Sequence, residues 1–193
     1  MVAPAAYFKA QGLDKTEYLR KEIMSLNPDL TRRITKTSFV EEVRSITSYS
    51  YSTTNYAGQG FICVGDSHEF TDPIFSFGVF LAMKEGEFAA ESIVKYLGEE
   101  GGTNGNPFAD YVAVTTEGQD AIRDVIDTFW EYPLAFTRMA SGHAQDDITD
   151  LFAGRVYGDF VRKNAARAMM RRLLAMRPSQ ALGSNRGEVL AVR

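Results

Sequence analysis

The residues with the clearest chemical potential lie between positions 61 and 79. Residues 61–64 (Phe-Ile-Cys-Val) form a short apolar run that leads directly into Gly65 and Asp66. We predict a strand over 61–64 that is buried on both faces, because such runs are typical of inner strands in α/β folds. Ligands gather at the carboxyl ends of these strands. Gly65 would let a bulky ligand approach the backbone, and the Asp66 carboxylate could bind ligand hydroxyl groups.

A helix that we predict to begin near Ser76 supplies the second half of this candidate site. Pro73 stiffens the preceding turn, and either Asp72 or Ser76 can cap the helix. Gly78 removes side-chain bulk from the first turn, where free backbone amides carry a partial positive charge. Such a helix start favours an anion or a phosphate.

Gly65-Asp66, followed by residues 72–79 and by Leu81-Ala82, resembles the second FAD-binding motif of the flavin-dependent halogenases. More broadly, it resembles the flavoprotein monooxygenases and geranylgeranyl reductases of the same fold. The close match spans about residues 57–93. The resemblance implies that Asp66 binds ribityl or ribose hydroxyls and that backbone amides of residues 76–79 face the flavin ring. The candidate cofactor-binding residues are Gly65, Asp66, Asp72, Pro73, Ser76, Phe77, Gly78 and Val79.

The resemblance implies an FAD-dependent oxidoreductase of the halogenase or monooxygenase type. The expected substrate is an aromatic or other electron-rich small molecule, and a halide and a flavin reductase are further implied partners. In halogenases the helix entrance holds the halide. The sequence assigns no catalytic residue, and we expect no metal.

Three features depart from the halogenase pattern. Phe77 stands where halogenases usually place a small or hydroxylated residue, so its ring could crowd a halide or point away. His68 and Glu69 follow the Gly-Asp pair in place of small residues. They could act as acid–base groups, but we favour exposed loop residues. Trp130 is the only tryptophan, and its position inside a predicted helix favours a core role.

No G-x-G-x-x-G motif follows any predicted strand, and residues 58–60 (Gly-Gln-Gly) precede a strand without the third glycine. The resemblance places that motif, the halogenase tryptophan motif and the catalytic lysine in the N-terminal half of the family. We therefore expect the chain to be a C-terminal half that carries one wall of the flavin site and is inactive in isolation. The alternative is a non-enzymatic truncated remnant, or a subunit that needs a partner chain.

The predicted elements indicate an α/β (α+β) fold, the C-terminal part of an FAD/NAD(P)-binding flavoprotein monooxygenase fold. A few strands precede a long helix and a helical C-terminal region. The expected helices are one capped by Asp14, one from about 76 with an apolar stripe, one over 108–132, short pieces around 146–152, and one over 159–176. One or two strands are expected over 39–51. The domain prediction is 1–98 for a partial FAD-binding domain, 99–177 for the helical region, and 178–193 for a flexible tail.

The stripe predicted on the long helix consists of Val79, Ala82, Met83, Gly86, Ala89, Ala90, Ile93, Val94 and Leu97. We expect it to need a cover of strands that lie outside this chain.

Composition and charge exclude several classes of function. The single cysteine, Cys63, permits no internal disulfide and favours a reducing compartment. The start shows no signal-peptide pattern, and the longest apolar stretch, around 74–83, is too short to span a bilayer, so we expect a cytoplasmic protein without a membrane partner. The net charge is −4, yet residues from 155 onward are basic. We favour a solvated helix face over a nucleic-acid interface for this basic region.

Overall fold

The computed structural model describes residues 3, 5–34, 39–46, 50–98 and 105–177. The chain divides into two compact units, residues 1–48 and 49–193. The first unit contains helices α1 (Ala5–Gln11), α2 (Lys15–Leu26) and α3 (Pro28–Ile34). The predicted cap of α2 is confirmed, since the Asp14 carboxylate accepts hydrogen bonds from the amides of Thr16 and Glu17 at 2.7 and 3.0 Å.

Four short strands open the second unit. They are β1 (Tyr51–Ser52), β2 (Ala57–Gly58), β3 (Phe61–Ile62) and β4 (Glu69–Phe70). β1 pairs antiparallel with β4, and β2 pairs antiparallel with β3. In the described part of the chain these two ladders are the only sheets. Residues 39–46 contain no strand, so of the strands predicted over 39–51 only the end at Tyr51 is observed.

The prediction of a strand over 61–64 buried on both faces is wrong. Phe61 is 48% exposed and Val64 is 38% exposed. The physical reason is that β3 is one arm of a tight hairpin with β2, and no further strand of the described chain covers it. An apolar run of four residues does not distinguish a hairpin arm from an inner strand of a sheet.

Six helices follow in the described part of this unit. They are α4 (Gly78–Gly98), α5 (Ala109–Glu131), α6 (Pro133–Ala140), α7 (Gln145–Phe152), α8 (Gly158–Lys163) and α9 (Ala165–Ala175). The single helix predicted over 159–176 is thus two helices. The break is Asn164, whose backbone is extended and whose side-chain oxygen accepts a hydrogen bond from the Arg167 amide at 2.8 Å. Asparagine favours such a capping position over a helix interior.

Two apolar clusters form the core of the second unit. The larger cluster joins the start of α4 to α5, α6, α7 and α9, with Ile122, Val125 and Leu151 fully buried. The smaller cluster contains Tyr56, Ala89, Phe108 and Tyr111. It connects α4 and α5 to the β2–β3 hairpin.

The apolar surface of α4 is wider than the predicted stripe. Leu81, Glu85 and Ala89 are buried at a spacing of four residues. Members of the predicted stripe lie on the opposite side and are 71% to 76% exposed, namely Val79, Met83, Val94 and Leu97. The buried face therefore includes two residues, Leu81 and Glu85, that the predicted stripe left out.

No helix in the described ranges is long and apolar enough to cross a membrane. The domain boundaries predicted at 98 and 178 stay predictions, and the predicted tail over 178–193 lies outside the described residues.

Candidate functional site

The turn after β3 is a single 3-10 turn over Gly65–Ser67. Gly65 has a positive φ of 58°, and a Cβ atom built on it would lie 2.9 Å from the Cβ of Ala82. Both the backbone conformation and the close approach of α4 therefore require glycine. The Ser67 hydroxyl closes the turn, because it accepts from the Val64 amide at 3.0 Å and donates to the Val64 carbonyl at 2.8 Å.

A buried carboxylate, Glu85 on α4, holds this turn. Glu85 is 0% exposed. Its Oε2 accepts a hydrogen bond from the Gly65 amide at 2.6 Å, and its Oε1 accepts one from Nε2 of Gln119 on α5 at 2.9 Å. Oε1 also lies 2.9 Å from Nδ1 of His68. The Gly65 amide is thus engaged by α4, and the glycine turn, α4 and α5 meet at one carboxylate.

The expectation that His68 is an exposed loop residue is wrong. His68 is 3% exposed and stacks on Tyr56, with 3.5 Å between ring centroids. The Tyr56 hydroxyl in turn lies within 3.1 Å of the hydroxyls of Thr115 and Thr116 on α5. His68 is therefore a buried structural partner of Glu85, which the sequence could not show because the two residues are far apart along the chain.

Glu69 is also not an exposed loop residue. Its side chain is 6% exposed, and both carboxylate oxygens accept hydrogen bonds from Nη2 of Arg123 at 2.8 and 2.7 Å. Burial opposes the charge on Arg123, but the hydrogen bond and charge of Glu69 prevail and raise the pKa of Arg123. The carboxylate is fully engaged in this pair.

Asp66 differs from these acidic neighbours because it is exposed. Its backbone carbonyl accepts a hydrogen bond from the Tyr51 hydroxyl. Its carboxylate makes no hydrogen bond or ion pair with any residue in the described ranges. Of the acidic groups around this turn, Asp66 is the one whose side chain is available to a ligand.

Asp72 caps a second 3-10 turn, Pro73–Phe75. Its Oδ1 accepts from the Ile74 amide at 2.9 Å, and its Oδ2 accepts from Nε1 of Trp130 at 3.1 Å. Trp130 is 44% exposed, so the expected core role is wrong, and its N–H tethers α5 to this turn. Both oxygens of Asp72 therefore have partners within the protein.

The start of α4 lies two residues later than predicted. Ser76 adopts a left-handed conformation with φ 58° and ψ 33°, and its amide donates to the Pro73 carbonyl at 2.9 Å. The backbone amides in the first turn of a helix that begins at Gly78 have no hydrogen-bond acceptor within the helix. Gly78 and Val79 are both exposed.

The side chain of Phe77 points into the core. It is 6% exposed and lies in ring contact with Phe75 and Phe152, with ring centroids 6.2 and 5.4 Å apart. Of the two alternatives for Phe77, the structure therefore supports the one in which the ring points away from the helix entrance.

The structure brings four of the predicted site residues to one small cavity of about 50 Å³, namely Gly65, Asp66, Pro73 and Gly78. Asp72, Ser76, Phe77 and Val79 do not line it. Gln119 does line it, and no pattern in the sequence indicates this residue. Glu85 had a signal that was missed, since a glutamate lies between Leu81 and Ala89 on an otherwise apolar helix face.

Comparisons with known proteins give a consistent result. No protein-family model matches the chain. The chain is 34% identical over 131 residues to the 1H-pyrrole-2-carbonyl-(peptidyl-carrier protein) brominase of Pseudoalteromonas luteoviolacea, a match that covers 67% of this chain and 32% of the relative. It is 44% identical over 59 residues to the tryptophan 2-halogenase of Chondromyces crocatus, a match that covers 31% of this chain and 11% of the relative.

Two solved structures share the fold. The flavin-dependent brominase Bmp2 matches with a TM-score of 0.68 and 30% identity, over 81% of this chain and 39% of the brominase. A flavoprotein/dehydrogenase from Cytophaga hutchinsonii matches with a TM-score of 0.69 and 27% identity, over 90% of this chain and 44% of the other. The predicted fold class is therefore confirmed as part of a flavoprotein fold.

The chain thus shares part of the fold that defines this class of flavoproteins. Within that class, the chain is a homologue of the flavin-dependent halogenases over the matched residues and corresponds to their C-terminal part. The chain spans about a third (32%) of the length of the Pseudoalteromonas luteoviolacea brominase.

Proposed function

We propose that this chain forms one wall of the FAD site of a flavin-dependent oxidoreductase of the halogenase or monooxygenase type. The observation that carries the proposal is the exposed Asp66 carboxylate, which lacks a protein partner in the described ranges and lies on a rigidly held glycine turn. A surface carboxylate fixed in this way suits recognition of ligand hydroxyls.

The residues present fit a flavin on three counts. Asp66 offers an acceptor for the hydroxyls of the ribityl chain. The start of α4 offers free amides and a partial positive charge to the electron-rich edge of the ring. A Cβ atom built on Gly78 would meet no atom within 4 Å, so the surface above the helix start is open to a large flat ligand.

In this proposal Asp66 binds the cofactor, and the amides of Gly78 and Val79 face the ring. Asp72, Pro73 and Ser76 shape the turn that presents those amides, and Phe77 anchors it in the core. The bound FAD would supply electron transfer and reaction with oxygen, which no side chain can perform.

The size of the cavity supports the idea of a single wall. The enclosed space of about 50 Å³ is far below the roughly 300–1,000 Å³ typical of a site for a whole cofactor. We therefore propose that further polypeptide completes the site, and that the isolated chain does not turn over substrate.

The substrate class is proposed from the named relatives, which act on a pyrrole-2-carbonyl group and on tryptophan. An aromatic or other electron-rich small molecule follows, with a halide as co-substrate and a flavin reductase as the source of reduced flavin. Chloride or bromide dependence of the completed enzyme would separate halogenation from oxygenation. The single free thiol, Cys63, fits a cytoplasmic location.

Flavin titration tests the proposal directly. We expect the purified chain to quench FAD fluorescence on binding, and Asp66→Asn to weaken the affinity by about tenfold, since one charge-assisted hydrogen bond is worth roughly 1.4 kcal/mol or more. Asp146→Asn, at another exposed aspartate on α7, is the matched control and should change nothing. Equal affinity of the wild type and Asp66→Asn would contradict the assigned role of Asp66.

A second candidate function is a non-enzymatic subunit, and the exposed apolar face of α4 favours it. Val79, Met83, Val94 and Leu97 present apolar surface along the whole helix. If the chain fails to bind FAD but forms a defined complex through this face, the subunit role replaces the flavin-site role.

A further inference from the structure

Gln119 has a buried acceptor without a partner. Its side chain is 3% exposed, and its Nε2 donates to Glu85. Its Oε1 is fully buried and has no hydrogen-bond partner among the residues that the structure describes. Buried polar atoms are nearly always satisfied, so this oxygen calls for a donor.

The orientation of the amide is fixed by its neighbour. If the Gln119 amide were flipped, its carbonyl oxygen would face Oε1 of Glu85, which accepts but does not donate as a carboxylate. Repulsion between two acceptors therefore keeps Nε2 on Glu85 and Oε1 on the other side. The unpartnered atom is an acceptor with a defined position.

The same carboxylate ties Gln119 to the cofactor turn. Glu85 binds Gln119 at 2.9 Å through Oε1 and the Gly65 amide at 2.6 Å through Oε2. The position of Gln119 relative to Gly65 and Asp66 is thus set by two short hydrogen bonds to one buried side chain.

The cavity at this point selects the chemistry of its occupant. Gln119, Gly65, Asp66 and Gly78 line a space of about 50 Å³. A space of this size holds a hydroxyl group or one to a few waters, since a single water needs roughly 10–15 Å³ by this measure, but it excludes a flavin ring. Its wall carries the Asp66 carboxylate, which accepts hydrogen bonds, and the Thr71 hydroxyl, which can accept or donate them, so an occupant that donates hydrogen bonds finds partners there.

We propose that Gln119 is a further ligand-binding residue, and that its Oε1 accepts a hydrogen bond from a hydroxyl of the polyol chain of the ligand held by Asp66. The inference rests on the proposed function, in which that polyol is the ribityl chain of the flavin. Gln119 and Asp66 then recognise the chain from two sides, one through a neutral acceptor and the other through a charged one.

The test compares two flavins that differ only in the polyol. Riboflavin carries the ribityl chain, and lumiflavin carries a methyl group in its place. We expect Gln119→Met to weaken riboflavin and FAD binding by about 5- to 20-fold, the effect of one buried hydrogen bond. Lumiflavin binding should not change, because lumiflavin has no hydroxyl to donate.

A second variant guards against damage to the fold. Gln119→Lys keeps a donor toward Glu85 and removes the acceptor, so it should show the same selective loss as Gln119→Met. Thermal unfolding of both variants, followed by circular dichroism, reports whether the fold is retained.

Each outcome decides a different point. Equal loss for riboflavin and lumiflavin would overturn the inference, because it would mean that Gln119 acts only through the structure around Glu85. Unchanged affinity for both flavins would also overturn it, with water as the partner of Oε1. A wild-type chain that binds neither flavin, or an Asp66→Asn variant as tight as the wild type, would instead overturn flavin binding by this wall, the part of the proposed function on which the inference rests.

Discussion

The two faces of helix α4 are built on different principles. The face packed against the rest of the second unit carries the acidic residue Glu85, which is 0% exposed and lies between Leu81 and Ala89. The opposite face carries apolar residues that are more than 70% exposed, such as Met83 and Leu97. The helix thus buries an acidic side chain and exposes large apolar side chains, the reverse of the usual arrangement in a soluble protein.

The reversal shows that the two faces have different tasks. The buried carboxylate is satisfied by donors from the glycine turn, His68 and Gln119, so it organises the candidate site. The exposed apolar face has no such partners in the described chain, so its side chains are available to pack against another surface. Variants of the residues on and around these two faces separate the two tasks.

Removal of the buried carboxylate should have the largest effect. Glu85→Ala leaves the Gly65 amide, His68 and Gln119 without their shared acceptor, and it opens a cavity. We expect a loss of about 3–5 kcal/mol in the free energy of unfolding, as for other broken buried charge networks. Urea unfolding followed by circular dichroism measures it.

The control for this variant lies on the same helix. Glu91 is exposed, so Glu91→Ala should change stability by no more than about 0.5 kcal/mol. Comparable losses in Glu85→Ala and Glu91→Ala would mean that the buried network does not stabilise the fold.

The glycine turn gives the next largest effect. Gly65→Ala forces alanine into a left-handed conformation and brings its Cβ within 2.9 Å of the Ala82 Cβ. Together these effects should cost about 2–3 kcal/mol. The double variant Gly65→Ala, Ala82→Gly removes the clash but keeps the strained backbone.

Comparison of the double variant with Ala82→Gly alone isolates the cost of the conformation at Gly65. Chemical denaturation midpoints of all three variants give the two contributions. A double variant whose loss of stability equals the sum of the losses of Gly65→Ala and Ala82→Gly would show that α4 does not press on the turn, against the assigned role of Ala82.

Much of the helical framework was predictable from the sequence because its signals are local. The Asp14 cap, the long helices α4 and α5 and the end of the helix predicted over 108–132 all follow from periodicity and from capping chemistry within one or two turns. The Gly65-Asp66 pair was selected because it directly follows an apolar run and resembles a flavin-binding motif, and its glycine is required by the observed φ.

The parts that failed depend on partners distant in sequence. His68 was expected at the surface because nothing nearby reveals that Glu85 and Tyr56 enclose it. Trp130 was expected in the core because the sequence does not show that its N–H reaches Asp72. The strand at 61–64 was placed inside a sheet because a short apolar run carries no information about its neighbours.

Two tyrosines near the buried face of α4 should differ in how their hydroxyl groups contribute to stability, and both effects should be smaller than that of Gly65→Ala. The Tyr111 hydroxyl donates to the Cys63 carbonyl at 2.6 Å, whereas the buried Tyr157 hydroxyl has no partner among the described residues. Tyr111→Phe should therefore lose about 1–2 kcal/mol, and Tyr157→Phe should be neutral or slightly stabilising. Thermal melts at pH 7 distinguish them.

The same two tyrosines should make the free energy of unfolding fall at alkaline pH. Burial, together with the charge of Glu85, raises the pKa of both Tyr111 and Tyr157 above the ordinary value of 10.0. Below pH 10 the hydroxyls are neutral in the folded and unfolded states, so their contribution is intact. As the pH rises above 10, only the unfolded state loses these protons, and stability falls. Each Tyr→Phe variant should flatten this decline, and an unchanged slope in both would contradict the raised pKa values.

The smallest change in stability is expected on the exposed face of α4, where the change in association should be greatest. Leu97 is 76% exposed, so Leu97→Glu removes little buried area and should alter the free energy of unfolding by less than about 0.5 kcal/mol. Because this face presents a row of apolar side chains, the wild type should self-associate as its concentration rises, and Leu97→Glu should suppress that association. Light scattering coupled to size-exclusion chromatography measures it, with Glu91→Ala as the control on the same helix. A wild type that stays monomeric at high concentration would mean that the exposed face does not drive self-association. The contrast between the two faces of α4 would then rest on the Glu85 network alone.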